Sequence, residues 1–206
     1  MIRSLVGLVG LGALAAVLFF AYRRWHLRWG ATEAEVARPM PGDERLPGVS
    51  FVATRAITVH ARPEHVWPWL VQIGFNRAGW YSYDLLDNLG RRSAERVIPE
   101  LQAIAVGDWI PMSGTPTEQT AFRVAAFEPD RMLLWAKPDS TWAWLLLPID
   151  GERTRVVSRL RCLHQPGTVL GLAGVMLMEL GDFPMFRKLL LNLRQRAERL
   201  ADGKGR

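Results

Sequence analysis

Residues 51–74 read FVATRAITVHARPEHVWPWLVQIG, and this stretch predicts a strand that leads directly into a helix. Phe51–Ala61 is rich in β-branched residues and alternates in polarity, which is typical of a half-buried strand. Pro63 suits the first position of a helix, and Glu64 adds an acid to its first turn. Apolar residues then recur at helical spacing as far as Gly74, which favours a helix end.

A series of short strands is predicted in the middle of the chain. Before them, residues 76–90 (NRAGWYSYDLLDNLG) predict a loop and a short helix around Tyr83–Asn88. Turn sequences such as Glu-Pro-Asp and Asp-Gly-Glu separate the strands, so neighbours in sequence should pair antiparallel. The predicted strands are Val106–Met112, Thr120–Phe127, Arg131–Lys137, Thr141–Leu147 and Arg153–Leu163.

The alternation within the last two strands predicts which faces are buried. Trp142 and Trp144 share one face of their strand. In the last strand the arginines share a face that we expect to be wet, and the other face should point inward. The wet face holds Arg153, Arg155, Arg159 and Arg161, and the inward face holds Val156, Ser158, Leu160 and Cys162. Arg55, on the first strand, is expected at the surface.

The chain should close with an amphipathic helix from about Pro184 to Leu200, because its apolar residues recur at i, i+3 and i+4. Asp182 stands just before Pro184, where it could cap this helix. The element order is therefore strand, two helices, about five strands and a long helix. This order predicts an α+β domain over residues 51–200, in which a curved antiparallel sheet grips the C-terminal helix.

The N-terminal residues predict a membrane anchor. Residues 4–22 (SLVGLVGLGALAAVLFFAY) carry no charge, and at about 1.5 Å per residue they match the hydrocarbon thickness of a bilayer. Tyr22, Trp25 and Trp29 follow where an aromatic belt belongs. A cleaved signal peptide is the alternative. With residues 4–22 as the anchor, residues 23–50 are predicted to be a juxtamembrane segment and linker, and residues 201–206 a basic tail.

Charge placement favours a membrane surface over nucleic acid. The chain has 26 basic and 20 acidic residues, a net charge of +6. Residues 1–30 carry +4 and residues 184–206 carry +5, so the remainder sums to −3. A nucleic-acid-binding module would carry its positive charge on the folded body. Three arginines after the anchor, against one before it, predict that the folded domain lies on the cytoplasmic side of the membrane.

Two consecutive segments carry a resemblance to a known family. TRAITVHARPEHVWPWLVQIG at 54–74, followed by RAGWYSYDLLDNLG at 77–90, is similar to uncharacterised bacterial members of the START/Bet v 1-like superfamily, which includes polyketide cyclase/dehydratase-type proteins. The resemblance spans about Val52 to Arg199. It implies the helix-grip fold, whose sheet and helix enclose a cavity for an apolar ligand.

Motifs for the common cofactor and metal chemistries are missing from the sequence. There is no glycine-rich phosphate loop, no HExxH and no GxSxG. The single Cys162 excludes an intrachain disulfide and favours a structural thiol. The four histidines are scattered, with His26 expected at a membrane interface and His164 in a structural hydrogen bond. We therefore expect no cofactor and no metal.

Aromatic residues are the strongest functional signal. Nine tryptophans in 206 residues need either a core or a cavity to line. For any one of them core packing is the simpler interpretation, and for the group we favour a pocket. The candidate ligand-binding residues are Trp80, Tyr81, Tyr83, Trp109, Trp142, Trp144, Leu160 and Phe183.

Three functions fit the sequence. The first is a membrane-anchored protein that binds an apolar small molecule, such as a lipid, a quinone or a polyketide-like compound. The second is a cyclase or dehydratase that uses acid–base help from Tyr81, Tyr83 or Asp84. The third is an interaction protein whose cavity is filled by side chains. No catalytic residue is assigned, protein partners are not predicted, and Glu179 is left open.

Overall fold

A computed structural model of the chain describes residues 2–164 and 168–203. The helices are α1 (Ile2–Leu27), α2 (Glu33–Ala37), α3 (Pro63–Val71), α4 (Asp84–Asp87) and α5 (Val169–Ala201). The strands are β1 (Phe51–Val59), β2 (Trp109–Pro111), β3 (Ala121–Glu128), β4 (Met132–Lys137), β5 (Ser140–Pro148) and β6 (Thr154–Cys162). Each strand predicted from the sequence is present within a few residues of its expected bounds.

The six strands form one antiparallel sheet in the order β1-β6-β5-β4-β3-β2. The last strand in sequence therefore lies between the first strand and β5, which closes the curved sheet around the helical layer. Helices α3 and α5 pack together, and α5 also contacts β1. Between the layers lies one large core, with Trp69 and Leu70 from α3, Trp144 from β5, and Leu190 from α5 almost fully buried. The predicted α+β class, with a sheet around a long C-terminal helix, is confirmed.

The C-terminal helix is longer than the sequence indicated. It begins at Val169, its N-cap Thr168 accepts a hydrogen bond from the Gly171 amide at 3.0 Å, and it continues through Pro184 to Ala201. The prediction that Asp182 caps a helix starting at Pro184 is therefore wrong. Pro184 removes one backbone donor from the helix interior, but packing on both sides of this turn holds the helix together.

The prediction that the arginine face of β6 is exposed is also wrong. Arg159 is only 4% exposed, because the chain between Gly30 and Leu46 lies across this face. Its guanidinium donates to Asp43 Oδ2 at 2.6 Å, to Thr54 Oγ1 at 2.9 Å, and to three backbone carbonyls. Residues 30–46 therefore act as a docked cover on the sheet.

Two ion pairs beside Arg159 hold the same cover. Arg155 donates to Glu35 at 2.7 Å, and Arg161 lies 3.4 Å from Asp43 Oδ1. Glu35 also accepts from the Thr32 amide at 2.7 Å, which completes a capping box at the start of α2. The pKa of Glu35 is lowered, chiefly by the hydrogen bond from Arg155.

Both edges of the sheet are occupied. At one edge, the Ala56 amide of β1 donates to the Trp29 carbonyl at 3.1 Å. Gly30 lies so close to this edge that a Cβ there would stand 2.1 Å from the Ala56 carbonyl oxygen. At the other edge, β2 has three residues and ends in Pro111, whose carbonyl accepts from the Phe75 amide at 2.8 Å.

The N-terminal helix α1 covers the stretch predicted as an anchor. In the described part of the chain, no helix combines the length and apolar character that a membrane crossing requires. The predicted transmembrane helix is therefore not supported there. Of residues 4–22, the side chains of 4–9, 12 and 16 lie outside the described residues. His26, expected at a membrane interface, is instead fully buried at the end of this helix.

We expect Arg159→Ala to destabilise the protein by about 3–5 kcal/mol, because it breaks the ion pair of a buried guanidinium with Asp43 and removes the donor from several backbone carbonyls. The matched control is Arg153→Ala. It breaks an exposed ion pair with Asp150 in the turn between β5 and β6 and should cost less than about 1 kcal/mol. Urea unfolding of the full chain measures both changes. Equal losses in the two variants would show that the cover does not depend on Arg159.

Candidate functional site

A cavity lies where the α3–α4 connection, the sheet and α5 meet. Its volume is about 200 Å³. We call it the aromatic cavity, and it is lined by Trp80, Ser82, Asp87, Met112, Trp142, Asp182, Met185, Phe186 and Leu189. Residues from four separate parts of the chain therefore share one space, as the helix-grip resemblance implies.

One wall of the aromatic cavity is a stack of tryptophans. Trp80 lies almost parallel to Trp142, with ring centroids 5.7 Å apart and an interplanar angle of 8°. Trp142 is also stacked with Trp144 at 5.3 Å and meets the edge of Trp135 at 5.4 Å. Trp144 and Trp135 are fully buried behind the wall, so the plane of Trp142 is fixed. The predicted shared face of Trp142 and Trp144 is confirmed.

Two polar groups in this wall lack a hydrogen-bond partner among the described residues. They are the Ser82 hydroxyl and the Trp80 indole Nε1, on side chains whose residues are 5% and 7% exposed. By contrast, Trp142 Nε1 donates to Ser158 Oγ at 2.9 Å. A buried polar group without a partner is unfavourable, and a ligand that pairs with it removes that cost.

Asp87 brings a carboxyl group into the same cavity. Burial raises the pKa of Asp87, and the negative charges of Asp84 and Asp182 add to the rise. The Ser82 hydroxyl lies near enough to offset part of this shift, although it falls short of normal hydrogen-bond geometry. Asp87 therefore holds a proton more readily than an ordinary aspartate does.

Asp182 is the second carboxyl of the cavity, and it is held by Arg55. Arg55 is 1% exposed and donates to Asp182 Oδ2 at 2.6 Å and to the His26 carbonyl at 2.9 Å. Its guanidinium also lies 5.0 Å from the centre of the Phe186 ring. The prediction that Arg55 lies at the surface is wrong, because α5 and the end of α1 cover that part of β1.

The eight aromatic and apolar residues predicted to bind ligand lie at several different places in the structure. Trp80 and Trp142 line the aromatic cavity, and Trp144 lies directly behind it in the core. Trp109, on the edge strand β2, packs under the guanidinium of Arg123 at 3.5 Å. Leu160 packs with Phe51 and its neighbours. Their part in ligand binding stays a prediction.

The remaining predicted residues lie on other sides of the fold. Tyr81 is 1% exposed, and its hydroxyl donates to the Trp69 carbonyl at 3.1 Å and accepts from Gln72 at 2.9 Å. Burial raises the pKa of Tyr81 far above its ordinary value, so this hydroxyl holds its proton. Tyr83 and Phe183 line a separate groove on the opposite side of α5.

Asp84, proposed as an acid–base residue, instead has a structural role as a hydrogen-bond acceptor. Its Oδ1 accepts from the Ser93 hydroxyl at 2.6 Å and from Asn88 Nδ2 at 2.8 Å. Burial acts to raise the pKa of Asp84, but these hydrogen bonds outweigh it and the pKa is lowered. None of Tyr81, Tyr83 and Asp84 lines the aromatic cavity.

Several lining residues were missed by sequence reasoning, although a signal for some of them existed. Asp182, Phe186 and Leu189 are spaced by four and three residues, so one helical face carries all three. The helix was predicted to begin at Pro184, so Asp182 was not placed on that face. Ser82 and Asp87 carried no such signal, because only the folded connection between α3 and α4 brings them to the cavity.

The other polar candidates lie away from the aromatic cavity. Cys162 is half-buried, and burial raises its pKa to about 11, which suits the predicted structural thiol. The His164 ring meets the edge of Phe51 at 6.0 Å, but its buried Nδ1 has no hydrogen-bond partner among the described residues, so the structural hydrogen bond predicted for this side chain is not found there. Glu179 pairs with Arg23 at 2.7 Å. Among the described residues, no group of three or more His, Cys, Asp or Glu side chains could hold a metal ion.

Comparisons with known proteins found likeness to solved structures only. No family model matches the chain, and no curated protein matches it. A polyketide cyclase-like protein of Corynebacterium glutamicum is similar over 77% of this chain and 97% of its own, at 13% identity and a TM-score of 0.48. A protein of Thermobifida fusca is similar over 72% of this chain and 94% of its own, at 18% identity and a TM-score of 0.44.

An aromatase/cyclase of Streptomyces sp. R1128 is similar over 76% of this chain and 99% of its own, at 14% identity and a TM-score of 0.43. Of these three proteins, the first is described as polyketide cyclase-like and the third as an aromatase/cyclase. Likenesses at such identities and TM-scores do not bear on the ligand or on any reaction.

We expect Asp87→Asn and Asp84→Asn to change stability in opposite directions near neutral pH. A carboxyl whose pKa is raised by folding destabilises the fold above that pKa, so Asp87→Asn should stabilise, and the gain should vanish as the pH falls through the folded pKa. A carboxyl whose pKa is lowered stabilises the fold above its unfolded value, so Asp84→Asn should destabilise.

This difference can be measured from the urea midpoints of both variants and the parent between about pH 7 and pH 3. The loss in Asp84→Asn should shrink as acid protonates Asp84 in the parent. Shifts of the same sign in both variants at neutral pH would contradict the assignment of Asp87 as the desolvated carboxyl.

Proposed function

We propose that the aromatic cavity binds a small flat molecule of one or two fused rings that carries a hydroxyl or carbonyl oxygen. The observation that carries this proposal is the pairing of a stacked tryptophan wall with unsatisfied polar groups. Trp80 and Trp142 present parallel rings, while Ser82 Oγ and Trp80 Nε1 beside them have no hydrogen-bond partner within the described part of the chain. Flat aromatic surfaces favour stacking or edge contact with a ring, and the free polar atoms orient its oxygen.

The size of the cavity supports a small ligand. A dry protein cavity of about 150 Å³ accommodates benzene, so the present volume of about 200 Å³ suits a ligand only slightly larger. An acyl chain or a system of three or four fused rings would need the wall to move. The headgroup of a quinone, or one end of a polyketide-like compound, fits the proposal better than a lipid tail.

An acid–base enzyme is the second candidate, and Asp87 is the observation that favours it. The raised pKa of Asp87 and the ion pair of Asp182 with Arg55 give the two carboxyls of the cavity different environments. Such a contrast is typical of sites in which one acid donates a proton and the other stays charged. In this candidate Asp87 would be the proton donor to a ligand oxygen, and the predicted Tyr81, Tyr83 and Asp84 would have no direct part.

A location at the bacterial plasma membrane, with the domain on the cytoplasmic side, belongs to the same proposal. It is supported by the sequence, through the uncharged residues 4–22 and the arginines that follow them. A ligand of this kind partitions into membranes, so a cavity held near the bilayer would meet a high local concentration of it.

We expect 1-naphthol to bind the full-length protein and to change its tryptophan fluorescence. Met185→Trp, which enlarges a half-buried residue of the cavity wall, should weaken this binding at least about tenfold by filling the space that a ring would occupy. The matched control is Met178→Trp, because Met178 is 63% exposed on the same helix. No binding to the parent, or equal binding to the two variants, would reject the cavity and favour an interaction protein with a filled interior.

We expect Ser82→Ala to weaken 1-naphthol binding about fivefold and to leave naphthalene binding unchanged. A hydrogen bond contributes about 1 kcal/mol, and only the ligand with a hydroxyl can form it with Ser82. Parallel fluorescence titrations of both compounds measure this difference. An equal effect on the two ligands would show that Ser82 shapes the wall without pairing with the ligand.

A further inference from the structure

A second concave surface lies on the opposite side of α5 from the aromatic cavity. It has a volume of about 650 Å³ and opens between the end of α1 and the middle of α5. We call it the α1–α5 groove. Tyr22, Trp25, Trp29, Tyr83, Phe183 and Arg187 are among the residues that line it, together with Lys188. The proposed function makes no use of this surface.

The floor of the α1–α5 groove is aromatic and partly open to solvent. Phe183 is buried at its centre and meets the edge of Trp25 at 5.0 Å and of Trp29 at 6.3 Å. Trp25 is 53% exposed and Tyr22 is 38% exposed, although both rings belong to an ordered cluster. Exposed Trp and Tyr beside buried rings are typical of side chains that sit at a membrane–water interface.

Two cations stand over this aromatic floor. The Arg187 guanidinium lies 5.2 Å from the centre of the Trp29 ring, and the Lys188 ammonium lies 3.9 Å from the centre of the Tyr83 ring. Neither makes an ion pair with a carboxylate in the described parts of the chain, and no acidic residue lines the groove. The adjoining surface, which Lys188 also lines, contains Asp84 and Glu95, and Asp84 is already held by Ser93 and Asn88.

The basic residues at the end of α1 differ from these two cations, because each of them has a carboxylate partner. Arg23 pairs with Glu179 at 2.7 Å, and Arg24 and Arg28 both pair with Glu33. Arg187 and Lys188 are thus the cations of this region that remain available to an anion.

Exposed leucines extend the groove on the side of Tyr83. Leu85, Leu86 and Leu89 are 78%, 66% and 74% exposed, and they follow Tyr83 along the chain. An apolar cluster of this kind, next to aromatic rings and unpaired cations, has the composition of a surface that enters the headgroup region of an anionic bilayer.

We propose that the α1–α5 groove docks on the surface of a membrane that contains anionic phospholipids, with a lipid phosphate bound between Arg187 and Lys188. The two cations supply the charge complementarity, while Trp25 and the leucines enter the interface beside the headgroup. This site is independent of the aromatic cavity, because Asp182 and Phe186 face the cavity while Phe183 and Arg187 face the groove.

The experiment measures the partitioning of the full-length protein, diluted from detergent, onto two kinds of vesicle. One kind is phosphatidylcholine alone, and the other contains phosphatidylglycerol in addition. The ratio of the two partition coefficients cancels any binding that does not depend on lipid charge. We expect Arg187→Gln with Lys188→Gln to lower this ratio about 25-fold, since each basic side chain near an anionic surface contributes about a factor of five.

The matched control is Arg194→Gln with Arg199→Gln, which makes the same change of charge on the same helix outside the groove. It should leave most of the ratio in place. An equal loss in the two double variants would overturn the proposal, because diffuse charge would then explain the binding. A parent ratio near one would overturn it as well.

A further arm adds inorganic phosphate at a fixed ionic strength, set with chloride salt. The groove is expected to keep its preference for the anionic vesicles. Loss of that preference on addition of phosphate alone would identify a site for a soluble phosphate and would overturn membrane docking. Binding of 1-naphthol to the groove variants should be unchanged, so a failure here is distinct from a failure of the proposed function.

Discussion

The ion pair between Arg55 and Asp182 is the constraint on which much of this structure depends. A guanidinium taken out of water costs several kcal/mol unless it is paired, and Arg55 is 1% exposed. Its partners come from two different helices, the Asp182 carboxylate from α5 and the His26 carbonyl from the end of α1. Both helices must therefore be in place before the middle of β1 is covered. The pair also fixes the rotation of α5 about its own axis.

That rotation determines what each side of α5 faces. With Asp182 held over Arg55, Phe186 is directed at the tryptophan wall, where its ring lies 5.4 Å from Trp142. Residues one position later, Phe183 and Arg187, are turned by about 100° and belong to the groove beside α1. A single helix thus separates two surfaces of different chemistry, and one buried salt bridge positions both.

The sequence was sufficient for the fold, because the strands alternate clearly and their turns are short. It also predicted Trp80 and Trp142 as ligand-binding residues, and both line the aromatic cavity. It failed where burial comes from a distant segment. The alternation in β6 was correct, but Arg159 is buried because residues 30–46 cover it, and a linker rich in proline and charge gives no sign of docking. Asp182 was missed because Pro184 looked like a helix start, whereas packing carries α5 through it.

The contacts that cover the two edges of the sheet affect how readily the protein aggregates in a crowded cell. A free edge strand offers unpaired amides and carbonyls to any other extended chain, which is the first step of many aggregates. Here β2 is only three residues long and ends in Pro111, a residue without an amide hydrogen to offer. At the opposite edge, Trp29 and Gly30 lie against Ala56 so closely that no other strand can approach there. Strand addition is thereby hindered at both edges of the sheet, while the domain still exposes Trp25 and the leucines near α4.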